Sequence, residues 1–148
     1  SREVITELEA CSLYLITRDE HSAKSRAQLL GEHGKSTRQA VIRVCPEAFF
    51  ATKVIVCEGK TELGICRSLD KYRLIQGRTI MSFLNCSYVL GEGSNLAKYV
   101  TDIAQTGLST SLLCDSDDIK GINPKKEEFE KKGVVIFDCE DDFSIASF

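Results

Sequence analysis

The chain contains no tryptophan, one methionine, two prolines and two histidines. Two histidines are too few for a metal centre built mainly on imidazole. There are seven cysteines, an odd number, at positions 11, 45, 57, 66, 86, 114 and 139. None stands in a Cys-x-x-Cys pair, and their spacings match no zinc ribbon or finger. Cys57 and Cys114 instead close apolar runs, where a small buried thiol packs well, so reduced core cysteines in a reducing cytosol are expected. No apolar run is long enough to cross a bilayer, and nothing resembles a signal peptide. The first residues, Ser1-Arg2-Glu3, include no initiator Met. The expectation is a piece of a longer cytoplasmic protein with no membrane partner.

A marked excess of one charge is also missing. The net charge is −3, but it is unevenly spread. Residues 1–57 carry 8 basic and 7 acidic side chains, residues 58–114 carry 6 and 5, and residues 115–148 carry 5 and 10. The acidity is concentrated at the end of the chain, part of it where a cation could neutralise it. Charge therefore neither supports nor excludes a nucleic-acid partner.

From residue 53 onward, strand and helix patterns alternate. Lys53-Val-Ile-Val-Cys57 is a β-branched apolar run that predicts a buried strand. Thr61 to Leu74 places Leu63, Cys66 and Leu69 at helical spacing, with Gly77 as a stop. Cys86 to Leu90 predicts a second strand, ending in Gly91-Glu92-Gly93. Ser94 or Asn95 can cap a helix whose apolar face is Leu96, Tyr99, Val100 and Ile103. Ser111-Leu-Leu-Cys114 reads as a third strand. Asn123-Pro124 suggests an N-cap followed by Pro at the first helical position, and Val134 to Phe137 a fourth strand. This repetition predicts an α/β fold with a mostly parallel four-stranded sheet flanked by helices and joined by right-handed crossovers. Ligands in such sheets bind at the carboxyl ends of the strands. Residues 1–45 do not join the repeat: Cys11 to Thr17 suggests a strand and Thr37 to Val44 a short helix ended by Pro46. They are expected to be a connector or the tail of a preceding domain, with the α/β domain covering residues 46–148.

The acids fall where that fold would place a ligand. The first strand runs into Glu58-Gly59-Lys60-Thr61-Glu62 and the third into Asp115-Ser116-Asp117-Asp118. Glu58 and Glu62 are four apart across a strand-to-helix turn, and Asp115 and Asp117 leave an extended segment on the same side. Converging carboxylates repel unless a cation is present or some are protonated. Oxygen ligands without His or Cys select Mg²⁺ or Mn²⁺. Such ions polarise a phosphoryl oxygen, lower the pKa of a bound water and neutralise a leaving oxyanion. Gly59 would let a phosphate approach the backbone, with Lys60 beside it as a cation.

These segments resemble the three signatures of the Toprim fold: Lys53-Val-Ile-Val-Cys-Glu-Gly-Lys-Thr-Glu62, Val89-Leu-Gly91 and Leu112-Leu-Cys-Asp-Ser-Asp117. Glu-Gly-x-Thr-Glu and the upstream Pro46-Glu-Ala-Phe-Phe-Ala-Thr are similar to the overcoming-lysogenization-defect (OLD) family of nucleases. The resemblance spans roughly residues 41–140 and implies a Toprim-like Rossmannoid performing metal-dependent DNA endonuclease chemistry with one or two ions. Further implications are an ATPase domain elsewhere in a full-length prokaryotic chain, homo-oligomers or protein partners formed through that chain, and a role in phage defence. By the same resemblance Glu58, Glu62, Asp115 and Asp117 are catalytic metal ligands, one glutamate doubling as general base. Asp118 joins them, and Glu140 is one candidate, with Asp138 and Asp142, for a further acid after the last strand. Gly59, Lys60, Gly91, Ser94 and Lys120 would meet DNA phosphates. The family's later basic residue has no counterpart before Phe148, so truncation at the C-terminus and weak cleavage by the isolated piece are expected.

Alternative readings compete. Asp-x-Asp or Glu-Gly-x-x-Glu alone is a weak signal, since surface acids are common; only their pairing at strand ends is specific. Lys60 reads equally as a solvated loop lysine, and 138–142 as a solvated tail. A topoisomerase would use a tyrosine, yet Tyr14, Tyr72, Tyr88 and Tyr99 sit in no motif, and a primase would bring a zinc module. Asp115-Ser-Asp117-Asp118-Ile119 resembles an aspartyl-phosphate phosphatase motif but leaves Glu58 and Glu62 idle. Gly31-Glu-His-Gly-Lys-Ser-Thr37 lacks the first glycine of a P-loop, Leu29 standing there, and no strand is expected before it. An inactive metal-binding or protein-docking domain is the non-enzymatic alternative.

Overall fold

A computed structural model describes residues 2–18, 24–32, 38–91, 93–115 and 119–137. The first elements are α1 (Arg2–Glu7), β1 (Tyr14–Arg18), β2 (Ser25–Leu29) and α2 (Gln39–Val44). The α/β repeat follows with β3 (Lys53–Cys57), α3 (Lys60–Ile75), β4 (Cys86–Leu90), α4 (Leu96–Ala104), β5 (Ser109–Leu113), α5 (Ile119–Lys131) and β6 (Val135–Phe137). Short 3₁₀ turns at Ala10–Ser12, Pro46–Phe50, Met81–Leu84 and Gly93–Asn95 join them.

The sheet order is β4-β3-β5-β6, with every neighbouring pair parallel. Lys53 pairs with both Cys86 and Ser109, and Cys57 with both Leu90 and Leu113, so β3 is an interior strand in register with both neighbours. Val54 and Val56 are buried on one face and Ile55 is partly buried on the other, so both faces are at least partly covered, which explains the unbroken Val-Ile-Val run. The chain leaves β3 for β4 on one side, then crosses back over β3 to reach β5 and β6. With right-handed crossovers, α3 lies on one face and α4 and α5 on the other; α4 touches α5, β3 and β5, and α3 touches β3 and β4. Connections diverge where β3 and β5 lie side by side, and that switch point opens the crevice in which such sheets hold ligands.

The two faces are filled unequally. On the α4 side, Leu96, Tyr99, Val100 and Ile103 form the predicted stripe and pack with Val54, Val56, Val89, Leu112 and Phe129. The α3 side is thinner and rich in thiols. Within α3 only Glu62 and Cys66 are buried, and Leu69 of the expected stripe is 56% exposed. The buried row of α3 thus runs through Glu62 and Cys66, one turn apart, rather than through Leu63, Cys66 and Leu69. Cys57 and Cys66 meet there with their sulfurs 3.9 Å apart.

Residues 1–45 lie outside the four-stranded sheet. β1 and β2 form an antiparallel pair of their own. Even so, Ala10, Leu15, Leu30, Val41 and Ile42 pack in the same core as the sheet. β1 begins at Tyr14, after a 3₁₀ turn, rather than at Cys11. A strand, β2, does precede Gly31, contrary to expectation. A Cβ on Gly31 would lie 2.6 Å from that of Ala10, so this glycine serves close packing of the chain. Lys35 and Ser36 fall outside the described residues.

Two helix starts also differ from expectation. α5 begins at Ile119, which places Pro124 in its second turn instead of at its first position. Gly133, at φ +75°, then provides the left-handed exit into β6. At α4, Asn95 stands at the N-cap position, but its side chain makes no capping bond. The helix is held by its buried apolar face. Among the described residues no helix is long and apolar enough to cross a membrane.

Candidate active site

The site is built at the open end of the β3–β5 pair. The ladder continues one step past β3: the Glu58 N–H donates to the Leu113 carbonyl at 2.9 Å. That bond keeps Glu58 in register with β5 as both strands end. The Asp115 N–H in turn donates to Glu58 Oε2 at 2.9 Å. Residues 57 apart in sequence are therefore joined directly, side chain to backbone. Glu58 and Asp115 are both half-buried, and Oδ1 of Asp115 is shielded from solvent.

Glu62 shapes the turn between them and α3. Its residue is only 5% exposed, and Oε2 accepts the Gly59 N–H at 2.7 Å. A glutamate at the third helical position reaching back to the N-cap N–H is half of a capping box. Gly59, as N-cap, has no side chain to complete the other half. A carboxylate in the first turn also complements the positive end of the helix dipole. This bond fixes the direction in which the chain leaves Glu58.

The residues expected to meet phosphate are arranged differently. Gly59 and Gly91 both have their N–H groups engaged, the first by Glu62 and the second by the Cys57 carbonyl at 2.7 Å. Gly91 is buried, and a Cβ there would collide with Leu96 Cδ1 and lie 3.0 Å from the Cys57 carbonyl oxygen. Its role is to let β4 run against the end of β3. Lys60 is exposed at the first turn of α3, and Ser94 is exposed on the turn before α4. Lys120 falls on α5. Asp117, Asp118 and Glu140, with Asp138 and Asp142, lie outside the described residues.

Among the described residues, no three His, Cys, Asp or Glu side chains gather closely enough to hold a metal ion. The donors that do converge are oxygens, from Glu58 and the Asp115 segment. The nearby sulfurs are turned elsewhere: Cys57 toward Cys66, and Cys114 toward the Phe137 carbonyl. The hydrogen bond with Cys66, then burial, pushes the Cys57 thiol up, so it stays protonated. This donor chemistry suits a hard divalent cation rather than zinc.

Sequence reasoning missed two features. Glu62, expected beside Glu58 as a ligand, also holds the turn through one of its oxygens, a capping role that the Glu-Gly-x-x-Glu spacing itself signals. Asp70 was not singled out, yet its carboxylate accepts the Met81 N–H at 3.0 Å and the Tyr88 hydroxyl at 3.2 Å, tying α3 to the connection before β4.

A parallel β4-β3-β5-β6 sheet, with a glutamate closing β3 against an aspartate just past β5, defines a Toprim-type α/β domain. Residues 49–117 match the family described as overcoming lysogenization defect protein-like, TOPRIM domain, and this segment is a Toprim domain of that OLD-like kind. Toprim domains as a group act in nucleic-acid cleavage and bind divalent metals. Neither the curated proteins nor the solved structures yielded a match.

Proposed function

We propose that this domain hydrolyses phosphodiester bonds in DNA with the aid of Mg²⁺ or Mn²⁺, as the nuclease part of a longer OLD-type chain. The observation that carries the reading is the 2.9 Å bond from the Asp115 N–H to Glu58 Oε2 at the switch point of the sheet. It joins the two acidic segments whose pairing distinguishes this motif set from scattered surface acids. Glu58 and Asp115 would hold the cation, with Asp117 and Asp118 following on the same segment and Glu140 a further candidate. A bound divalent ion supplies charge neutralisation at the phosphoryl group and acidifies water at neutral pH.

The protein's own part is positioning. The β3–β5 ladder holds Glu58 and Asp115 at one end of the sheet, and Glu62 sets the turn that aims Glu58. The thiol-lined and apolar layers beneath exclude water from one side of the crevice, where electrostatic interactions gain strength. Residues 1–45 we assign to the connection with an ATPase domain in the full-length chain, and phage defence is the cellular role this reading favours.

Supercoiled plasmid incubated with Mn²⁺ or Mg²⁺ tests the assignment. Nicking or linearisation is expected, and relaxation without breaks would instead indicate a topoisomerase. Glu58→Ala and Asp115→Ala should each abolish cleavage and calorimetric Mn²⁺ binding. Full cleavage in either variant removes that residue from the mechanism.

A further inference from the structure

Away from the carboxylates, a cleft of about 590 Å³ opens along the outer side of β4, between α3, the Pro46–Phe50 turn and the Met81–Leu84 turn. Its size falls within the roughly 300–1,000 Å³ range of small-ligand sites. Two acids and two bases line it, but they are not equivalent. Asp70 has one oxygen on the Met81 N–H and the other on the Tyr88 hydroxyl. Burial and the nearby Asp70 charge push the Tyr88 phenol up, so it remains a donor to that carboxylate. Glu47 lies 3.7 Å from Arg2. Among the described residues, no ion pair engages Arg67 or Lys71. These two stand one helical turn apart on α3, both exposed and both on the cleft.

Two cations on neighbouring turns suit a phosphate, which Arg can grip with two parallel N–H bonds and Lys as a point charge. Phe50, 61% exposed at the rim, offers a ring face to a planar base. Amide and hydroxyl groups of Asn85 and Ser87 lie within the same cleft. A base can reach such a ring only when unpaired, and stacking of this kind tolerates any sequence. One helix, α3, runs from the catalytic end to the cleft. Lys60 begins that helix beside Glu58, and at the helical rise Arg67 and Lys71 lie roughly 10 and 16 Å further along it.

We propose that this cleft holds single-stranded DNA leading away from the Glu58 and Asp115 site, with phosphate on Arg67 and Lys71 and a base on Phe50. The inference rests on DNA being the substrate, but its test does not depend on cleavage. A fluorescein-labelled single-stranded oligodeoxythymidylate is titrated with the full-length chain in EDTA and followed by anisotropy. The double variant Arg67→Gln/Lys71→Gln should weaken binding at least tenfold. It should also flatten the dependence of log K on log salt by about 1.4, from two lost contacts at roughly 0.7 each. Phe50→Ala should weaken binding about 5-fold or more while leaving the salt slope unchanged.

A variant that is merely misfolded would not separate charge from stacking in this way, and circular dichroism checks its fold. Unchanged affinity and slope in the double variant overturn the proposal. So does a duplex bound as tightly as the single strand, or binding of deoxythymidine monophosphate without the oligonucleotide. If plasmid cleavage persists while these variants bind normally, the cleft is excluded and the nuclease reading stands. If oligonucleotide binding behaves as expected but no metal restores cleavage, the strand track stands and the nuclease reading falls.

Discussion

Replacing Glu62 distinguishes a residue that shapes the site from one that holds the cation. Its Oε2 accepts the Gly59 N–H at 2.7 Å while the residue is almost wholly buried. A hydrogen bond to a charged group contributes about 1.5–3 kcal/mol. Glu62→Ala should therefore destabilise the protein by about 2–3 kcal/mol. For a chain of this size each kcal/mol moves Tm by roughly 2–4 °C, so the melting point should fall by about 4–12 °C. Glu62→Gln keeps an acceptor oxygen but loses the charge that roughly doubles such a bond. Its loss should be about 1 kcal/mol, a shift of about 2–4 °C. Differential scanning calorimetry without metal reads both shifts, and Mn²⁺ calorimetry reads the ligand role separately. If Glu62 acts through the turn, Glu62→Gln should retain Mn²⁺ affinity within a few-fold. Loss of Mn²⁺ binding in Glu62→Gln with Tm unchanged would refute the argument and place this carboxylate among the ligands.

Two further substitutions probe the frame of the site. Gly91→Ala forces a Cβ against Leu96 and the Cys57 carbonyl, and overpacking of this kind costs about 1–3 kcal/mol. Urea unfolding should show that loss, and full stability would mean the β3–β4 approach leaves room for a methyl group. Asp102 is buried in α4, and Oδ2 finds no hydrogen-bond partner among the described residues. Burial raises its pKa, opposed by Lys98 and Arg38. In the window between the ordinary carboxylate pKa and the raised folded value, the folded state keeps a proton that the unfolded state has lost, so stability falls as pH rises through it. Asp102→Asn should remove that part of the pH dependence, and a slope identical to that of the unmodified chain would show that Asp102 does not titrate there.

The fold was readable wherever burial was two-sided or strictly periodic. Val54 and Val56 sit inside an interior strand, and a β-branched run with no polar interruption has few other solutions. Leu96, Tyr99, Val100 and Ile103 had the spacing of a helical face and all are buried. On α3 the pattern found Cys66 but missed Glu62, because no hydrophobicity scale marks a glutamate as interior. It failed again at Pro124, where the local signal for a helix start lost to a helix already begun at Ile119. Strand order lay beyond the reach of periodicity as well. Short apolar strands carry no label for their neighbours, and only the contacts made across the sheet place β3 between β4 and β5.

The site shows the same division at finer scale. That Glu58 and Asp115 would share one end of the sheet followed from each closing a buried parallel strand. That they would be linked by a side-chain-to-backbone bond required β3 and β5 to be neighbours, which the sequence order of strands does not imply. The glycines taught the opposite lesson. Gly59 and Gly91 looked like places for a phosphate to approach, yet both N–H groups are committed to the protein. A glycine beside an acidic motif is equally the residue that lets two strand ends and a helix start crowd together. At Gly59 and Gly91 that freedom serves the backbone, beside the end of β3 that carries Glu58.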